Sequence, residues 1–198
     1  SVWSRFAQKS QGFSLNFIPQ VIPDIILIEP SMHQDNRGYF AETFREDLFN
    51  DAIGSNINFI QENESRSSRG VLRGLHYQIP PVSQSKLLKV IQGSVLDVAV
   101  DIRKSSHTFG QHVALELSAE NKLQLFVPSG FAHGFVVLSD TATLSYKVDN
   151  YYAQVHERGI AFDDESLKIN WQFKSDILKL SDKDKNNPTL ANAIDLFD

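Results

Sequence analysis

Cysteine is missing from all 198 residues, which excludes disulfides and every thiolate metal site. No apolar run approaches the ~20 residues that a helix needs to cross a bilayer. Ser1 to Phe17 mixes Arg5, Lys9 and polar residues with scattered aromatics, and holds no continuous apolar core of a signal peptide. Cations are not in excess either. Lys and Arg number 19 against 24 Asp and Glu, a formal charge of −5, and no basic cluster offsets it, so nucleic-acid binding has no electrostatic footing. These absences point to a soluble, cytoplasmic protein that engages neither membrane nor nucleic acid.

The length suits one domain with a substantial core. Residues 1–18 carry little pattern and read as an N-terminal extension, leaving 19–198 as the domain. Ile22 to Pro30 is a strand bounded by prolines, and Tyr39 to Phe44 a second after a polar turn. Leu48, Phe49 and Ala52 recur at helical spacing between Glu46 and Ile53, with Gly54 placed to cap the C-terminus. Phe59 to Asn63 restarts the strands. From Lys86 to Val148 strand follows strand. Leu96, Val98, Val100 and Ile102 share one face, and Val95, Asp97, Ala99 and Asp101 the other. Phe131, His133, Phe135 and Val137 share a face, as do Leu144, Tyr146 and Val148. Near the end, Asn187-Pro188 reads as a helix start, with Leu190, Ile194 and Phe197 as its apolar stripe. Many short strands with Gly and Pro turns predict an all-β sandwich or barrel with a few short helices.

The chemistry concentrates in Arg69-Gly70-Val71-Leu72-Arg73-Gly74-Leu75-His76-Tyr77-Gln78, with Lys86 ten residues after His76 and His133 inside Gly130-Phe131-Ala132-His133-Gly134-Phe135. These segments are expected to be neighbouring strands whose histidines and cations share a pocket. Strict alternation sets Arg73 and His76 on opposite faces, so they meet only if a bulge re-aims one of them. His133 sits among apolar residues, and a buried imidazole needs a partner; Asp97 suits that role, for function or merely for structure. Tyr146, taken by its spacing alone, reads as a core aromatic with its hydroxyl at the rim. A metal-binding barrel would place a second histidine two residues after the first; position 78 is Gln, and His76 with His133 is too small a ligand set. No metal and no cofactor is expected.

The Arg-Gly-Val-Leu-Arg-Gly-Leu-His-Tyr-Gln run, Gly93 to Arg103, the Ser-x-x-Asn-Lys-x-Gln-Leu segment from Ser118 and Pro128 to Phe135 together resemble the dTDP-4-dehydrorhamnose 3,5-epimerase family, from about Ile22 to Leu190. The resemblance implies a cupin-like jelly-roll β-barrel, homodimeric, with strand exchange near its N-terminus and no metal. It implies His76 as general base, Asp184 in Leu180-Ser181-Asp182-Lys183-Asp184 as its carboxylate partner, and Tyr146 as proton donor. It assigns Arg73 and Lys86 as pocket cations and His133 with Asp97 as a second pair. Arg37, Glu42, Gln61, Asn63 and Tyr152 would meet the nucleotide-sugar. Two departures stand out: Ala161-Phe162-Asp163-Asp164 where the family often has Trp-Asn-Asp, and one extra residue between Trp171 and Asp184.

The implied substrate, a dTDP-linked 4-keto-6-deoxy sugar, has C3 and C5 protons next to its ketone, so removing either gives an enolate. An imidazole held in one tautomer by a carboxylate can take such a proton. A cation can stabilise the enolate oxygen, and an acid across the ring can complete the inversion. A 3-only or 5-only epimerase would use the same residues. A metal-dependent cupin and a non-catalytic sugar-nucleotide binder remain the readings from other classes.

Overall fold

In a computed structural model, residues 15–198 are described. Two antiparallel sheets face each other as a jelly roll. The first runs in the order β1 (Leu15–Pro19), β2 (Ile26–Pro30), β10 (Gln124–Val127), β7 (Lys86–Gln92), β12 (Thr141–Val148) and β5 (Gln61–Ser68). The second runs β13 (Glu157–Gly159), β6 (Leu72–Gln78), β11 (Phe131–Val137), β8 (Ser94–Asp101) and β9 (His112–Ser118). A separate ribbon pairs β3 (His33–Asp35) with β4 (Gly38–Phe40).

Between the sheets lies a core that includes Leu88, Val95, Leu125, Phe131, Phe135 and Leu144. A second apolar layer covers the outer side of the five-stranded sheet. There Leu72, Val98, Val100 and Ile160 meet Trp171 and Leu190 of the C-terminal segment. This is why β8 is buried on both faces although its sequence alternates cleanly. A third layer sits outside the six-stranded sheet, under helix α1 (Glu46–Ile53).

Helix α1 follows its sequence signals. Glu46 and Asp47 occupy the first turn, where the helix dipole favours anions. Gly54 takes the left-handed conformation at φ 71°, its N–H donating to the Asn50 carbonyl. Phe49 is fully buried and its ring lies 5.1 Å from Phe126, edge to face.

Several expectations shift. β1 takes in residues 15–18, assigned from sequence to the extension; residues 1–14 of that stretch lie outside the described residues. β2 starts only at Ile26, because Ile22 to Ile25 closes a turn with Ile25 N–H donating to the Ile22 carbonyl. The strand expected over Tyr39 to Phe44 ends at Phe40. Asn187-Pro188 starts no helix: it lies between α2 (Asp182–Lys185) and a 3-10 turn at Leu190–Asn192. Tertiary pairing wins there. The Ala161 N–H donates to the Pro188 carbonyl at 2.7 Å, and the Asn187 side chain fills the space beside Gly159. Of the proposed stripe, Leu190 is buried and Phe197 packs on Tyr77, while Ile194 is exposed. No helix among the described residues is long and apolar enough to cross a membrane.

Candidate active site

A cleft of about 590 Å³ opens between the sheets, bordered by β5, β6, β7, β11, β12 and the segment around α2. His76, Arg73, Lys86, His133, Tyr146 and Asp184 all line it.

Arg73 and His76 reach it together because β6 is irregular. His133 pairs with His76 and Phe135 with Arg73, so three steps along β6 match two along β11. The extra residue turns both side chains to one face. Glycine makes the bulge possible on both strands. A Cβ on Gly74, whose φ is +128°, would stand 2.6 Å from the Gly134 Cα, and one on Gly134 would stand 2.7 Å from the Arg73 carbonyl oxygen. β6 and β11 are neighbours, as expected from sequence. Lys86 is not beside them. It begins β7 in the other sheet, paired with Val127 and Val148, because residues 79–85 carry the chain across the sandwich. It therefore borders the same cleft from the opposite sheet.

Asp184 arrives from far along the chain. Leu72 N–H donates to the Lys179 carbonyl, and Lys179 N–H to that of Gly70, so the C-terminal segment lies alongside the start of β6. Ser181 then caps α2, its Oγ accepting the Asp184 N–H at 3.2 Å. The carboxylate is buried. It accepts from His76 Nε2 at 2.5 Å and from the Gly74 N–H at 3.1 Å. Burial pushes the Asp184 carboxyl up, but the His76 hydrogen bond and charge, the Gly74 N–H and Lys183 together hold it below the usual carboxylate range. An ionised carboxylate only accepts, so Nε2 carries a proton in either state of the ring, and in the neutral ring the lone pair is on Nδ1.

His133 and Asp97 form the second pair. Asp97 lies opposite Phe135, on the same face as His133 one pair along, and both its oxygens stand 2.9 Å from His133 Nε2. Burial drives the Lys86 ammonium down to about 8, with the charges of Asp97 and Glu157 opposing the fall. Burial also raises the Tyr146 phenol, while the Asn63 side chain and the Arg73 charge work the other way. At neutral pH the site thus presents a phenol that keeps its proton and a cation close to losing one.

The remaining sequence candidates divide. Asn63 lies opposite Tyr146 in the strand register, and its Oδ1 accepts from Gln61 Nε2 at 2.9 Å. Gln61 Oε1 accepts the Tyr152 N–H, and the Tyr152 hydroxyl donates to Glu157. These three form a rim next to the cleft. Arg37 and Glu42 do not join it. Arg37, 86% exposed, pairs with Asp35 on the β3–β4 ribbon, which borders a different concavity; Glu42 faces Arg45. Gln78 spends its amide on the Val82 and Tyr151 carbonyls and its Oε1 on the Ala153 N–H, so it fixes a loop. Among the described residues no group of three or more acidic or His side chains is arranged to hold a metal.

Sequence reasoning missed Glu157, Lys183, Ser65 and Ser67. Glu157 accepts from Lys183 Nζ at 2.6 Å as well as from Tyr152, closing the rim above Asp184. Ser67 Oγ accepts from Arg73 Nε at 3.0 Å and so aims the guanidinium. Ser65 lines the cleft directly. A signal existed for the two serines: Gln61, Asn63, Ser65 and Ser67 alternate along β5, and a strand that is polar on its inward face must border a wet cavity.

Four cationic side chains, Arg73, Lys86, Lys179 and Lys183, line the cleft against the one carboxylate of Asp184, in a protein whose formal charge is −5. Such a site draws in an anionic ligand with a wet, charged part. The His76–Asp184 pair, the phenol and the lysine suit proton transfer at a carbon next to a carbonyl.

Residues 19–192 match the family model for dTDP-4-dehydrorhamnose 3,5-epimerase. The Shigella flexneri protein of that name is 50% identical over 179 residues, 90% of this chain and 98% of its own length. A crystal structure of a Legionella pneumophila 3,5-epimerase in complex with dTDP-4-keto-L-rhamnose superposes with a TM-score of 0.87 at 44% identity, covering 91% of this chain and 95% of the other. A dTDP-4-dehydro-6-deoxyglucose 3-epimerase from Streptomyces bikiniensis is 39% identical over 165 residues, 83% of this chain and 84% of its own. From the cupin-like jelly roll, the cleft and these relatives together it follows that the chain belongs to the dTDP-4-dehydrorhamnose 3,5-epimerase family.

Proposed function

We propose that this protein inverts C3 and C5 of dTDP-4-dehydro-6-deoxy-D-glucose to give dTDP-4-dehydro-L-rhamnose. The observation that carries the reading is the His76–Asp184 pair at 2.5 Å, its carboxylate buried and its imidazole open to the cleft shared with Tyr146 and Lys86. Nδ1 of His76 takes the proton from the carbon next to the C4 ketone, and Asp184 stabilises the resulting imidazolium. The electron pair moves onto the ketone oxygen, where the Lys86 ammonium meets the developing enolate. Tyr146 delivers a proton from the opposite face, and the carbon is inverted. Once the imidazolium has given its proton to water and the phenolate has taken one back, the same set serves the carbon on the other side of the ketone. Arg73, aimed by Ser67, and the lysines at the mouth hold the diphosphate. His133, held by Asp97, adds a polar contact to the substrate.

The protein acts as a homodimer in the cytoplasm. In support of the dimer, Tyr39 and Phe40 stand 58% and 61% exposed on the ribbon that bears Arg37, outside this chain's own cleft. A second copy would cover those rings and bring Arg37 to a nucleotide; sedimentation checks it. Absence of cysteine fits a reducing compartment.

Incubation with the keto sugar in heavy water, followed by NMR, tests the activity. Deuterium is expected at both C3 and C5. The Streptomyces bikiniensis relative keeps a one-centre reading in play, and label at C3 alone would select it. No label at either carbon refutes proton abstraction altogether.

A further inference from the structure

The inward face of β5 carries Asn63, Ser65 and Ser67 at alternate positions. Two of them are occupied. Asn63 accepts from Gln61 and stands beside Tyr146, and Ser67 accepts from Arg73. Ser65 between them is not. Its Oγ is closed off from solvent yet has no hydrogen-bond partner among the described residues, and across the ladder it faces Leu144, which offers no polar side-chain atom. A buried hydroxyl left unpaired is a cost that folded proteins rarely carry without a use. Ser65 nevertheless lines the cleft, between the phenol and the guanidinium.

We propose that the Ser65 hydroxyl is a substrate-contacting group of this site, taking a hydrogen bond to an oxygen of the keto sugar as the ligand enters. The proposal rests on the epimerase reading. Re-aiming a serine hydroxyl takes only a rotation about χ1 between staggered rotamers. The sugar is the portion it meets. Ser65 follows the Asn63–Tyr146 pair in the strand register, whereas the diphosphate keeps its charge near the exposed Lys179 and Lys183. In this arrangement β5 orients the acid with one residue, the phosphate-binding arginine with another, and the sugar with the one between.

Ser65→Ala tests it, with Ser65→Thr as the variant that keeps the hydroxyl. The expected result is a 3- to 10-fold loss of kcat/KM with the keto sugar, the scale of one neutral hydrogen bond. Inhibition by dTDP alone should be unchanged, the melting temperature of the free enzyme should not fall, and Ser65→Thr should recover part of the loss. A kcat/KM within twofold of wild type would mean the hydroxyl is satisfied by water, and overturns the proposal. Equal weakening of dTDP inhibition would move the contact to the nucleotide and overturns it as well. An inactive wild-type enzyme would instead count against the epimerase reading, so the two failures are distinguishable.

Discussion

Replacing Asp184 by Asn removes one charge while keeping the shape, and the hydrogen bonds around it set the consequence. The carboxylate accepts twice, from His76 Nε2 and from the Gly74 N–H. An amide has a single oxygen. If that oxygen stays with the Gly74 N–H, the NH2 group faces Nε2 and can only donate, so Nε2 must give up its hydrogen and Nδ1 must carry it. The base then presents N–H where it needs a lone pair. In a serine protease, inverting the tautomer this way lowers kcat by about 10⁴, and the same geometry here predicts a loss of about 10³–10⁴-fold, or about 4–5.5 kcal/mol of barrier. KM should change little, because the nucleotide and diphosphate contacts are elsewhere. Deuterium uptake at C3 and C5, followed by NMR against time, measures the step directly. A thermal melt of the same variant confirms that α2 stays docked. Turnover within tenfold of wild type by a folded variant would refute Asp184 as the group that sets the base.

Tyr146→Phe should lose inversion by about 10²–10³-fold while deuterium still exchanges at the carbon facing His76; equal loss of both would deny the phenol its role as the opposite-face acid. Because burial drives Lys86 down to about 8, its charge disappears as pH rises through that value, so kcat/KM should fall about tenfold per unit above it. Lys86→Arg, lower in overall activity, should shift that descending limb upward, and an unmoved limb would assign it to another group. Asp101 is fully buried and accepts from Arg103, Ser106 and Thr108; burial pushes its carboxyl up, but these partners bring it down to about 2 from 3.8. A depressed carboxyl stabilises the fold above its unfolded value, and that contribution is lost as pH falls toward 2. Urea titrations should show Asp101→Asn less stable by about 2 kcal/mol at pH 7, with the gap closing near pH 2; an unchanged midpoint at pH 7 would contradict it.

Much of this protein could be read from its residues in order, because the signals involved are local. Period-two alternation grouped the residues that share each face of β8, β11 and β12, without saying which face of β8 lies between the sheets, and the Glu-Asp start with the Gly54 stop located α1. The likeness in four separated motifs supplied Asp184, which no periodicity would have joined to His76.

Other features exist only where distant segments meet. Whether Arg73 and His76 share a face depends on a bulge against β11, and the fit of Gly74 to Gly134 that permits it involves residues 60 apart along the chain. Lys86 borders the cleft from the opposite sheet, because Pro80-Pro81 marks where β6 must end but not which sheet the next strand joins. The end of the chain forms no helix at Asn187-Pro188 because residues 159–161 offer a better partner for its backbone. Sequence by itself therefore determined the β class, the sharing of faces along each strand and the choice of candidate side chains, since each depends on spacing along one strand or on motif likeness. Only the tertiary structure decided which of them stand within hydrogen-bond reach, because that distance is set by the packing of one sheet against another and by the segment that closes over them.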